Sequence, residues 1–114
     1  DCTGHGVPGA FMSMIGNDLL NEIVNLRGVM NPQNILQELH ISINKTLKQQ
    51  DTFNRDGMDL VLCVVDHQKK IVEFAGAKNA LYYVQDAQLQ EIKGDKMAIG
   101  GYYKELESKR AFIT

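Results

Sequence analysis

Both prolines of this chain, Pro8 and Pro32, open an amphipathic helical pattern, and every strand-like segment comes after the second of them. Proline suits a first helical turn because the N–H it lacks would have no intrahelical partner there. After Pro8, the residues Phe11, Met14, Ile15, Leu19, Ile23 and Leu26 recur at helical spacing as one apolar face, and Gly28 supplies the stop. Asn31-Pro32 repeats the start signal with an N-cap side chain, and Ile35, Leu39, Ile43 and Leu47 follow at every fourth position. Two helices, about 8–29 and 32–49, joined by so short a connection, form an antiparallel hairpin whose apolar faces turn the same way. Those faces need a flat cover.

The second half supplies it. Leu60 to Val65 is an unbroken apolar run of strand length, as expected for a central strand, and the polar turn Asp66-His67-Gln68-Lys69 leads into Ile71 to Ala75. Ala80 to Val84 and Leu89 to Ile92 flank a turn at Asp86-Ala87-Gln88, residues 106–114 read as a last strand, and Gly94, Gly100 and Gly101 mark loops. Helices segregated from a meander of about five strands make the α+β class, a helix hairpin packed on an antiparallel sheet.

At 114 residues and 44% hydrophobic, the chain fits one domain with one modest core. Twelve Lys plus Arg against fourteen Asp plus Glu give a net charge of -2 without a run of one sign, which disfavours a nucleic-acid surface and polybasic membrane attachment. No apolar run has the length of a spanning helix, so no membrane contact is expected from this segment. Cys2 and Cys63 lack the spacing of a zinc or redox pair, so a reducing cytoplasm is the default localisation. The chain starts without Met and stops in the apolar stretch Ala111 to Thr114, and the expectation is that residues 1–114 are the central part of one larger domain, truncated at both ends.

Chemistry concentrates at the start. Asp1-Cys2-Thr3-Gly4-His5-Gly6 combines a hard carboxylate oxygen, backbone that can approach an ion and a following helix start, the parts a phosphate-handling metal site needs. A solvated aspartate before an ordinary glycine turn is the plainer reading of the same residues.

DCTGHGVPGAFMSMIG, DGMDLVLCVVD, EFAGAKNALYYV and KGDKMAIGGY, in this order and spacing, resemble the bacterial SpoIIE-type branch of the PPM metal-dependent serine/threonine phosphatases. The resemblance implies an α-β-β-α sandwich, of which the helix hairpin and meander form one part. It implies two Mn2+ or Mg2+ ions that activate a water for in-line attack on phosphorus. Asp1 matches the aspartate that contacts both metals, Cys2 the position that lends a backbone carbonyl, and Gly4, His5 and Gly6 the loop beside the ions. His5 is the catalytic candidate, with protonation of the leaving serine oxygen and a purely orienting role both open to it. Asp56 and Asp59 could bring a carboxylate near the metals or could simply end a loop. Met12, Met14, Met30 and Met58 read as core filler, His40 and His67 as surface residues, and Gly16 as a soft point in the first helix. Ala80 and Ala98 stand where the family often carries proline.

The implied activity is dephosphorylation of phosphoserine or phosphothreonine on a regulatory protein of the anti-sigma-factor antagonist type. An upstream sensor domain fused to the enzyme and a homodimer belong to the same expectation. The acidic motifs that complete both metal sites in the family find no match here, so the fragment alone is expected to be inactive. The alternative is a non-catalytic protein-interaction module with the same fold.

Overall fold

The computed structural model describes residues 1–2, 6–47 and 56–100. Helix α1 spans Gly6–Asn21 and runs into a π-helical turn, Glu22–Leu26, closed by the Arg27 N–H donating to the Glu22 carbonyl at 2.9 Å. Gly28, in the left-handed region at φ 68°, ends it as the sequence predicts. Helix α2 spans Pro32–Thr46, and the Asn31 side chain caps it by accepting the Asn34 N–H at 3.2 Å. Six short strands follow: β1 (Gly57–Met58), β2 (Leu60–Asp66), β3 (Ile71–Ala77), β4 (Leu81–Gln85), β5 (Gln88–Ile92) and β6 (Ile99–Gly100). Among the described residues they form three antiparallel pairs, β1 with β6, β2 with β3 and β4 with β5, rather than one continuous meander.

The α+β class and both expected hairpins are present. The β2–β3 turn is shaped by Asp66, whose carboxylate accepts the N–H groups of Gln68 and Lys69 at 2.9 and 3.0 Å. The β1–β6 pair was not legible, since Gly100 reads as a loop residue yet pairs with Gly57. A Cβ at Gly57 would run into the Ile99 carbonyl, so the close approach of these two strands requires glycine there. The expected strand at 106–114 lies outside the described residues.

The core is built by α2, through Ile35, Leu36, Leu39 and Ile43, against Met12, Ile23, Met58, Ala75, Ala77 and Ile99. Leu60, Leu62 and Val64 of β2 turn toward this core, whereas Cys63 and Val65 are exposed on the other face. With strand alternation, the sheet has a helix-covered face and an open one.

The first helix buries a different stripe from the expected one. Phe11, Met14 and Leu26 are 59%, 62% and 82% exposed, while Met12, Gly16 and Ile23 are buried. The contact face is centred on Gly16, whose missing side chain lets the helix settle on Met58. At 3.6 residues per turn, Phe11 and Met14 then point about 140° and 160° away from it. The π-helical turn adds a residue to the cycle and carries Leu26 off the stripe. Met12 and Met58 are thus core residues as expected, and Met14 and Met30 are not. Gly16 is a packing contact rather than a soft point.

Candidate functional site

Asp1 and Cys2 lie beside β1 as a short extra strand. The Asp1 amino nitrogen donates to the Asp59 carbonyl at 2.8 Å, and the Asp59 N–H donates back to the Asp1 carbonyl at 2.8 Å. Such an exchange places the two residues directly opposite each other in an antiparallel register, with Cys2 opposite Met58. Directly opposed residues project to the same face. Met58 is core-facing, so by alternation Asp59 belongs to the open face, and Asp1 goes with it.

Cys2 faces the other way. Its thiol sits over α1, where the Ser13 hydroxyl approaches Sγ at 3.5 Å, and it packs on the core edge. The ladder's paired hydrogen bonds run through Asp1 and Asp59, which leaves the Cys2 carbonyl outside that exchange. Gly6, the first residue of α1, has φ 65°, a conformation that glycine adopts without strain.

The two carboxylates and the Cys2 carbonyl, which the exchange with Asp59 does not use, are hard oxygen donors of the kind divalent Mn2+ and Mg2+ select. The donors fit the ions in kind and fall short in number. Among the described residues, no three His, Cys, Asp or Glu side chains gather closely enough to hold an ion.

The sequence matches the family described as Stage II sporulation protein E (SpoIIE) over residues 1–106. This chain belongs to the SpoIIE family. The SiaA-PP2C domain of Pseudomonas aeruginosa is a similar solved structure, at a TM-score of 0.77 and 36% identity over 88% of this chain. The present chain spans 39% of that one. No curated protein matches.

SpoIIE membership places the chain among PPM-type serine/threonine phosphatases, a generally metal-dependent group. Of the residues singled out from the sequence, the fold brings Asp1 and Cys2 to the β1 edge and Gly6 to the start of α1, while Gly4 and His5 lie outside the described residues. Asp59 shares the face of Asp1.

His67 is exposed in its turn, as expected, but His40 is 6% exposed and belongs to the interior. The Gly100 N–H donates to His40 Nδ1 at 2.9 Å, so Nδ1 is the acceptor of this buried bond. His40 therefore ties α2 to β6, and through the β1–β6 pair to the segment that holds Asp59. The polar flank of an amphipathic pattern gave no sign of this, because the partner is a backbone group sixty residues away. No helix among the described residues is long and apolar enough to cross a membrane.

Proposed function

We propose that the intact protein hydrolyses phosphoserine or phosphothreonine on a regulatory partner protein of the anti-sigma-factor antagonist type, using two Mn2+ or Mg2+ ions. The residues 1–114 are the central part of its catalytic domain. Asp1 and the Cys2 carbonyl contribute to the metal centre, and the remaining ligands come from outside the described residues. Bound there, the ions would lower the pKa of a water and neutralise the phosphoryl oxygens.

The chain's own contribution is positional. The reciprocal bonds to Asp59 fix the Asp1 backbone, so its carboxylate is presented on the open sheet face without waiting for a ligand to order it. Gly4, His5 and Gly6 match the loop that the family sets beside the ions, and His5 is the candidate to donate a proton to the departing serine oxygen. The observation that carries this reading is the pairing of Asp1 with Asp59 in a chain of this family.

The test compares two substrates in the intact protein with Mn2+. p-Nitrophenolate leaves without a proton, whereas a serine alkoxide does not. His5→Ala should depress kcat on a phosphoserine peptide at least tenfold more than on p-nitrophenyl phosphate. Equal losses would assign His5 an orienting role, and a wild-type protein that hydrolyses neither substrate would end the phosphatase reading.

A further inference from the structure

A groove of ≈ 830 Å³ is walled by Val61 of β2 and by three lysines, Lys78, Lys93 and Lys96. Val61 is two residues beyond Asp59 in the chain, which at the rise of a strand puts this wall of the groove about 7 Å from Asp59.

The groove's frame is rigid. Gly76, Gly94 and Asn79 approach so closely that a Cβ on either glycine would strike the Asn79 carbonyl. The Asp95 N–H donates to the Gly76 carbonyl at 2.8 Å, and the Lys78 N–H donates to the Asp95 carbonyl at 2.7 Å. These bonds hold Lys78 at φ 62°, a left-handed conformation costly for a side chain with a Cβ.

All three lysines are exposed, and none forms an ion pair among the described residues, where Arg27 with Glu38 does. Two carboxylates share the lining. Glu91 accepts the Tyr82 hydroxyl across the β4–β5 pair at 3.4 Å, and Asp95 is the residue whose backbone locks the frame. Three ammonium groups against two carboxylates leave the groove lining one charge positive on a chain whose net charge is -2.

We propose that this lysine groove docks an acidic segment of the phosphoprotein substrate, so that glutamates or aspartates about two to five positions from the phosphorylated residue are read by Lys78, Lys93 and Lys96. An extended peptide advances about 3.3 Å per residue, so one running from the Asp1 face reaches the groove within a few residues. Charge complementarity selects an acidic peptide over a neutral one, and salt should weaken the contact. The inference rests on the phosphatase reading for its choice of partner.

The test uses the intact protein and two fluorescein-labelled phosphoserine peptides, one flanked by glutamates and one by glutamines, read by fluorescence anisotropy. Tighter binding of the glutamate peptide is expected, with Kd raised at least tenfold by Lys93→Glu/Lys96→Glu and by a smaller factor by Lys93→Gln/Lys96→Gln. With Mn2+, the charge-reversed variant should lose at least tenfold more kcat/KM on the glutamate peptide than on p-nitrophenyl phosphate. Equal affinity for the two peptides, or a Kd within twofold of wild type in the charge-reversed variant, overturns the groove. Lysine-dependent binding by a protein that does not hydrolyse p-nitrophenyl phosphate would keep the groove and overturn the phosphatase reading instead.

Discussion

Gly16 of α1 sits so close against Met58 of β1 that a methyl group added at position 16 would overlap the Met58 Cε and lie 3.3 Å from its sulfur. The neighbour of Met58 on one side is Asp59, the partner of Asp1. The contact therefore connects the packing of the first helix to the strand that carries the candidate site.

Gly16→Ala should for this reason destabilise the protein despite alanine's advantage in helices. The propensity gain is about 1 kcal/mol, whereas overpacking a fitted contact costs about 1–3 kcal/mol. Combining Gly16→Ala with Met58→Val, which shortens the opposing side chain, should recover part of the loss. Chemical denaturation of the two single variants and the double variant measures this as a coupling energy. A Gly16→Ala protein more stable than wild type would mean that Met58 swings aside freely.

His40→Leu should cost about 1–3 kcal/mol, because the buried Gly100 N–H loses its acceptor while the apolar volume is roughly kept. The denaturation midpoint reads this directly. A change below about 0.5 kcal/mol, the range of ordinary surface substitutions, would show that the bond does not hold α2 to β6.

Asp59→Asn should act with opposite signs on two quantities. Like charges facing each other across a strand pair repel, so in EDTA the variant should be more stable than wild type by up to about 1 kcal/mol. A cation on that face is attracted by both carboxylates, so the Mn2+ concentration for half-maximal binding should rise. Unchanged metal affinity together with unchanged stability would place the Asp59 carboxylate away from Asp1.

Much of the fold was legible because it follows from local rules. Asn31-Pro32 caps and opens α2, Gly28 stops the first helix, and Asp66 organises the turn it was expected to occupy. What escaped the sequence depends on contacts between distant segments. Gly16 carries no hydrophobicity, so a periodicity count passes over the residue on which the buried stripe is centred. Gly100 has the composition of a loop, and only the partner strand at Gly57 makes it part of a ladder. His40 looks like any polar residue on a helix until the Gly100 N–H arrives. At the candidate site, Asp1 and Cys2 are read from a motif, while the pairing of Asp1 with Asp59 depends on the register of the strand beside it.

The most direct measurement is hydrolysis of p-nitrophenyl phosphate by the intact protein as a function of Mn2+, compared with Asp1→Asn. Wild-type activity should appear only with added divalent ion and vanish in EDTA. The variant should keep its melting transition within a few degrees and lose at least a hundredfold in turnover at saturating Mn2+, since the shape at position 1 is kept while the charge is removed. Turnover in Asp1→Asn equal to that of the wild type, at the same metal dependence, would contradict the assignment of Asp1 to the metal centre.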